Sequence, residues 1–285
     1  MKLVTYLSPG QMAQPGVVKD GRVYGLQPAG FGDLIDVLKG GWGARAVIDS
    51  YMQTLPATAG LALEQATLLA PIARPPKLIC VGLNYRDHAA EAKMEIPTTP
   101  TIFSKFSNAI TGPGSPVVLP KTSAKPDYEA ELAVVIGKGG RHVPKEYWHR
   151  HVYGYMCLND VSARDYQLAT SQWLMGKTFD TFAPTGPWIT TADEIADPHA
   201  LDISLELNGE VMQSSNTSEM IFKIPELIAF LSSVFTLEAG DIITTGTPAG
   251  VGFGKKPPRW LKAGDEMAVK ISGLGELRNP VVAEQ

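Results

Sequence analysis

Alternating apolar and polar positions recur through this chain, broken by dipeptides that favour tight turns. Asp20-Gly21 sits between Gly16-Val17-Val18-Lys19 and Arg22-Val23-Tyr24-Gly25-Leu26. Such a pair supplies the two positive φ angles of a two-residue hairpin turn, so a β-hairpin is predicted there. Asn208-Gly209, between residues 201–207 and 210–213, predicts a second one. Unbroken apolar runs at residues 77–83, 127–137, 152–158 and 241–245 read as buried strands. Residues 102–106 form a shorter strand and 263–271 a final alternating one. Helical character appears over 33–38, 42–55, 88–92, 161–170 and 224–235, the last with Pro225 in its first turn. The segment from Gly176 to Trp188, rich in glycine and proline, reads as a loop. Pro71-Ile72-Ala73-Arg74-Pro75-Pro76 stiffens the chain and removes amide donors, which sets a boundary between a small N-terminal unit, 1–70, and a larger one, 71–285.

One strand carries an electrostatic problem. In Asp127-Tyr128-Glu129-Ala130-Glu131-Leu132-Ala133-Val134-Val135-Ile136-Gly137, Glu129 and Glu131 point to one face, about 7 Å apart along the strand. Like charges repel, and burial penalises both unless a cation or a proton compensates. A divalent ion answers both difficulties. Asp160 ends the next apolar run, where it is either a turn residue or a third oxygen donor at a cavity rim.

Other candidates are weaker singly. On a helix His88 and Glu91 are i and i+3 and share a face, as either a proton-handling pair or an incidental exposed one. Lys105 reads first as a surface strand residue, and Lys177 lies near the start of the 176–188 loop. His149 and His151 lack a third nitrogen or sulfur donor nearby, which argues against a zinc or copper site. The glycine-rich 245–254 segment lacks the lysine of a phosphate-binding loop and the helix of a dinucleotide fold.

At 285 residues, 44% hydrophobic and 19% charged, the chain has the composition of a globular protein with a sizeable core. Its formal charge of −4 offers no basic footprint for nucleic acid. The apolar run at the start is too short for a secretory signal, and no stretch nears the roughly 18 apolar residues of a membrane helix. A cytoplasmic protein with no membrane partner is the resulting expectation. The two cysteines, Cys80 and Cys157, lie in apolar runs and read as buried thiols.

Taken together and in order, Gly82-Leu83-Asn84-Tyr85-Arg86-Asp87-His88-Ala89-Ala90-Glu91, Glu129-x-Glu131, Asn159-Asp160-Val161-Ser162-Ala163-Arg164-Asp165, Gly176-Lys177 and Thr245-Gly246-Thr247-Pro248-Ala249-Gly250-Val251-Gly252 resemble the fumarylacetoacetate hydrolase family. The likeness spans residues 77–282, and residues 1–70 look like a small N-terminal extension found in some members. It implies an α+β fold, a mixed β-sandwich roll, in a homodimer. It implies Mg²⁺ or Mn²⁺ on Glu129, Glu131 and Asp160, and an all-oxygen set independently suits those hard ions. His88, oriented by Glu91, is implied as the base, and Lys177 as the group binding an oxyanion or a substrate carboxylate. Arg86, Arg164, Gln167, Gly246 and Thr247 are implied around the substrate, with Lys105 ordering the His88–Glu91 pair. Gly82 and the alanine-rich 88–92 piece suggest a lid. The expected reaction is hydrolysis of the C3–C4 bond of a 2,4-dioxo acid. Decarboxylation of an oxaloacetate-like acid or keto–enol isomerisation on the same metal site is the alternative, with a metal-stabilised binding protein behind both. Leu168-Ala169-Thr170-Ser171-Gln172-Trp173-Leu174-Met175-Gly176 is less polar than the same segment of sugar-acid relatives, which predicts an apolar distal pocket.

Overall fold

The computed structural model describes residues 1–10, 12–56 and 58–285. Two β-sheets face each other across the main core. Among the described residues the larger has twelve strands, and Lys2–Leu7, Ala183–Thr191, Val152–Asn159, Ala130–Ile136, Ile242–Thr244, Leu78–Gly82 and the edge strand Thr101–Ser104 follow one another in that spatial order. The smaller runs Glu210–Asn216, Asp202–Leu207, Glu266–Ile271, Gly275–Ala283 and Val117–Leu119. Strands and helices are interspersed in a mixed α+β sandwich, as expected.

The strand Ala130–Ile136 is buried along its whole length. Leu132, Val134 and Ile136 pack with Ile203, Leu205, Met267 and Val269 of the smaller sheet. Ala133 and Val135 point the other way, into a second core with Leu34, Val37, Leu38 and Ile48 of the helix Leu34–Thr54. Burial on both faces explains why this strand reads as a continuous apolar run rather than an alternating one. It also makes the two glutamates at its start conspicuous.

The N-terminal residues extend the large sheet. Lys2 pairs with Thr190 and Leu3 with Ile189, so the proline-rich crossing at 71–76 joins two stretches that share one sheet and one core. Asp33 caps the helix by accepting from the Asp36 amide at 2.8 Å. The two helical patches predicted at 33–38 and 42–55 are the two limbs of this helix, which breaks at Gly41 (φ 52°, ψ −131°). Both predicted hairpins form, with φ of 49° and 71° at Asp20 and Gly21 and of 56° and 83° at Asn208 and Gly209. Cys80 and Cys157 are buried free thiols.

Several local expectations change. Residues 161–170 are not one helix: Ser162–Ala163 pairs with Pro126–Asp127, and only Arg164–Gln167 turns helically. The glycine- and proline-rich loop splits into a helical turn, Leu174–Lys177, and a central strand, Ala183–Thr191. Pro184, Gly186 and Pro187 hide that strand from a propensity reading, yet Cys157 pairs with Gly186 and Leu158 with Thr185. His149 lies in the helical turn Lys145–Arg150, and the ring of His151 contacts the Lys138 carbonyl oxygen at 2.7 Å.

Gly154 sits where strands cross closely: a Cβ there would stand 2.2 Å from the Thr190 carbonyl oxygen. Backbone cannot retreat cheaply inside a paired sheet, so Gly154→Ala is expected to destabilise the protein by about 1–3 kcal/mol. Thermal unfolding checks this, with a fall in Tm expected and an unchanged Tm contradicting it.

Candidate metal centre and active-site cavity

The register of the central strands brings the acidic residues together. Ala130 pairs with Asn159 and Glu131 with Leu158, which places Glu129 and Glu131 beside Asp160 at one end of the sheet. The Asp160 amide donates to the Glu129 carbonyl oxygen at 2.8 Å, and the Asn159 side chain accepts from the Glu129 amide at 3.0 Å. All three carboxylates are buried, and one oxygen of each lies within 4.8 Å of the others. Glu129 immediately precedes the strand, which begins at Ala130.

Cations hold most of this charge. Arg164 reaches Asp127 at 2.8 Å and Glu129 Oε1 at 2.6 Å. Lys177 Nζ bridges Glu129 Oε2 at 2.8 Å and Asp160 Oδ2 at 2.7 Å. Lys105 pairs with Asp160 Oδ1 and donates to the Val161 carbonyl oxygen at 2.9 Å. Asp127, Glu129, Glu131 and Asp160 thus face Arg164, Lys105 and Lys177, four formal negative charges against three positive. Of these four carboxylates Glu131 is the one without a salt bridge among the described residues; its Oε2 accepts from the Gly246 amide at 2.8 Å.

The protonation preferences follow. Burial pushes the Glu131 carboxyl well above its usual range, and the nearby Asp160 and Glu129 charges push it further. Burial acts the same way on Glu129, but Lys177 and Arg164 overcome it and hold that carboxyl well below the usual range. The Lys177 ammonium is raised, because Asp160 and Glu129 outweigh its burial. Lys105 is lowered, with burial the main cause and Asp160 only partly opposing it.

An all-oxygen donor set carrying one carboxylate in excess of its cations fits a hard divalent ion. Among the described residues the same three side chains, Glu129, Glu131 and Asp160, form the group with metal-binding spacing. Sequence reasoning marked this triad but not its support. Asp127 fixes Arg164 and also accepts from the Gly252 and Phe253 amides, at 2.7 and 3.0 Å. Gln213 accepts from the Ala130 amide and donates to Thr247 Oγ1, both at 2.8 Å. Asp127 stands two residues before Glu129 and so shares its parity, a signal available in the sequence. Gln213 lies on a distant strand and leaves none.

A cavity of about 180 Å³ opens onto Glu129 and Glu131, with Asp160 buried behind them. Glu129, Glu131, Arg164, Gln167, Lys177 and Thr247 form its polar part, and His88 stands on its wall. The far part is apolar, with Leu83, Met94, Phe103, Leu168, Trp173 and Phe253, in agreement with the apolar segment noted before Lys177. Gln167 accepts from Arg164 Nη1 at 2.9 Å, so these two expected pocket residues act as a unit.

His88 lies on the helix Arg86–Ala92, 3.4 Å from Glu91 through Nδ1. Glu91 accepts from the Gly250 amide at 3.0–3.1 Å, which ties the helix to the glycine-rich turn. The His88 contact, aided by the Gly250 amide, lowers the Glu91 carboxyl against the effect of its partial burial. Two sequence expectations land elsewhere. Lys105 is 3% exposed and bound to Asp160, so it orders the acidic cluster rather than the His88–Glu91 pair. Arg86 is exposed, donates to the Met220 carbonyl oxygen at 2.9 Å and does not line the cavity. A larger cavity of about 660 Å³, beside Trp42, Arg45 and Tyr153, contains none of the expected site residues.

Comparisons with known proteins agree with this architecture. Residues 77–282 match the family described as fumarylacetoacetate (FAA) hydrolase C-terminal. Oxaloacetate tautomerase Fahd2a, mitochondrial, of Rattus norvegicus is 53% identical over 220 residues, covering 77% of this chain and 70% of that protein. Oxaloacetate tautomerase FAHD2A, mitochondrial, of Bos taurus is 48% identical over 252 residues, covering 87% and 79%. A solved structure of maleylpyruvate hydrolase from Sphingobium sp. SYK-6, in complex with manganese(II) and pyruvate, is 34% identical over 100% of both chains, with a TM-score of 0.84. The expectation of a cytoplasmic protein is overturned by these relatives, whose names place them in mitochondria. No helix among the described residues is long and apolar enough to cross a membrane, but that bears on membrane spans and not on compartment.

Glu131→Gln removes the carboxylate that lacks a cationic partner. It is expected to weaken Mg²⁺ and Mn²⁺ binding by about 3 kcal/mol, roughly 150-fold, as loss of one partner from a buried ionic site does. The metal-free variant should melt no lower than the parent, because the cost of burying an ionisable carboxyl beside Asp160 and Glu129 is gone. Calorimetric titration and paired melting curves check both; parent-like metal affinity contradicts the assignment.

Proposed function

Because this chain belongs to the fumarylacetoacetate hydrolase family, we propose that it is a divalent-metal-dependent tautomerase of a small 2-oxo dicarboxylic acid of the oxaloacetate type. The observation that carries the reading is the cavity: about 180 Å³, with Glu129, Glu131, Arg164 and Lys177 at one end and an apolar wall at the other. Pockets for larger organic ligands run to roughly 300–1,000 Å³. A four-carbon acid suits the smaller space, and two cations near the floor suit its two carboxylates. The relatives named as oxaloacetate tautomerases support the same reading over the C3–C4 hydrolysis expected from sequence.

Tautomerisation breaks a C3–H bond and forms an O–H bond at the 2-oxo oxygen, with no net gain or loss of atoms. A divalent ion held by Glu129, Glu131 and Asp160 would polarise the 2-oxo group and favour the enolate charge. His88 takes the C3 proton on its ring and returns one, with Glu91 fixing the ring orientation from 3.4 Å. Gly250 in turn anchors Glu91, so helix position and base orientation are set together. Lys177 and Arg164 bind the carboxylates of the acid and fix the C3–H bond relative to His88. Leu83, Phe103 and Trp173 exclude water from the far end, which disfavours hydrolytic attack on the same enolisable acid.

Hydrolysis of a 2,4-dioxo acid is the second reading. It is favoured by the maleylpyruvate hydrolase likeness and by the His88–Glu91 pair, which could serve a water as well as a carbon acid. Oxaloacetate, acetylpyruvate and maleylpyruvate, each with Mg²⁺ or Mn²⁺, separate the two. Accelerated decay of the oxaloacetate enol absorbance is expected, and His88→Ala should slow it by about 10²–10⁴-fold. Faster release of pyruvate from a 2,4-dioxo acid than turnover of oxaloacetate would assign the protein to hydrolysis instead.

A further inference from the structure

We infer that Trp173 is a specificity-determining wall, which limits the far substituent of the 2-oxo acid to about the size of a carboxylate. The inference rests on the reading above for the charged end of the substrate. Trp173 immediately precedes the helical turn Leu174–Lys177 and stands four residues before Lys177, so the two side chains lie on one face of that turn. The Phe103 ring lies between them. Its centroid is 5.1 Å from the Lys177 ammonium and 5.5 Å from the Trp173 ring, which it meets at 66°. One wall therefore runs from a cation at the triad, across Phe103, to an indole at the apolar end.

The indole is held from a second side. A Cβ built on Gly82 would stand 2.2 Å from Cζ3 and 2.9 Å from Cη2 of Trp173, so the ring occupies the space that any side chain at position 82 would need. Gly82 ends the strand Leu78–Gly82, and Phe103 lies on Thr101–Ser104, its paired neighbour, where Cys80 faces Phe103 and Gly82 faces Thr101. Two adjacent strands of one sheet thus fix the ring position. A side chain with this much support resists displacement, which size discrimination requires. The glycine at 82, read from sequence as part of a lid, is explained by the indole that packs on it.

The chemical consequence is selective. An acid with a carboxylate on C3 keeps both charges near Lys177, Arg164 and the triad. An acid with a phenyl or longer acyl group on C3 must drive that group against Phe103 and Trp173. Pockets of this kind discriminate by about 10–200-fold for a single methylene, and more for a ring that has to displace the wall.

The Mg²⁺-loaded parent, Trp173→Ala and Trp173→Phe are compared with oxaloacetate and with phenylpyruvate, which has an enolisable C3 and a bulky substituent. The ratio of kcat/KM for phenylpyruvate to that for oxaloacetate should rise at least ~10-fold in Trp173→Ala and by less in Trp173→Phe, which keeps an aromatic contact with Phe103. Calorimetric affinities of the same proteins for phenylpyruvate and pyruvate should shift in the same order. A kcat/KM ratio within twofold of the parent in both variants overturns the inference. If the parent does not turn over oxaloacetate, the reaction reading falls and the calorimetry still decides the wall: a rise in the phenylpyruvate-to-pyruvate affinity ratio upholds it, and an unchanged ratio overturns it.

Discussion

Repulsion among buried carboxylates is the constraint around which the acidic end of the large sheet is arranged. Glu129, Glu131 and Asp160 are drawn together by the register of two central strands, and Asp127 stands close behind. Such a cluster is untenable without cations. Three are recruited from three separate places: Lys105 just after an edge strand, Arg164 at the start of a short helical turn, and Lys177 at the end of another. Those pairings fix the path of the chain between residues 160 and 177 as firmly as apolar packing does elsewhere. Ordering this segment also delivers Gln167, Leu168 and Trp173 to the cavity, so the electrostatic solution and the cavity lining have one structural cause.

The division between the two ends of the cavity follows from the same fold. Odd-numbered positions of the Ala130–Ile136 strand face the helix-covered core, and the even-numbered ones face the smaller sheet. Polar chemistry is possible only where the strands end, since every interior position is closed on both sides. At that end the Ile242–Thr244 strand supplies a turn in the left-handed region at Gly246 (φ 88°), whose amide faces Glu131. A side chain at 246 would be strained by that φ and would meet the Asn84 Cβ at 2.8 Å. Glycine there is a requirement of close approach between the turn and the segment that leads into the His88 helix.

Much of this was legible from local rules. Both Gly-containing hairpins, the kinked helix, the buried strands and the Glu129–Glu131 pair each have a signature within a few residues, because turn φ angles, helix caps and strand parity are local physics. The Ala183–Thr191 strand was not legible, since two prolines and a glycine argue against a central strand and only its neighbours on either side override them. Lys105 was misplaced for a related reason. A lysine on a short strand resembles a surface residue until the pairing of distant strands puts Asp160 beside it. Gln213 and Asn159 escaped notice because a buried amide has no pattern of its own; its role is defined by the backbone groups it satisfies.

Lys177 differs from the other two cations in which oxygens it holds. Arg164 takes Glu129 Oε1 and Lys105 takes Asp160 Oδ1, whereas Lys177 bridges Glu129 Oε2 and Asp160 Oδ2, one oxygen from each of two carboxylates. Arg164 is further committed to Asp127 and Gln167, and Lys105 to the Val161 carbonyl. Lys177 has no other anchor among the described residues beyond its position over Phe103, and it lines the cavity. When another cation neutralises Glu129 and Asp160, the Coulombic hold on Lys177 weakens while Arg164 and Lys105 keep their remaining partners. On the proposed reading, the ammonium would then be free to turn toward an incoming carboxylate without leaving its helical turn. A cation serving the acidic cluster in one state and the acid in another would couple the loading of the proposed site to its capacity to bind that acid. Lys105 on Asp160 and the Val161 carbonyl, and the Asp127 and Gln167 contacts of Arg164, would preserve the geometry through the change.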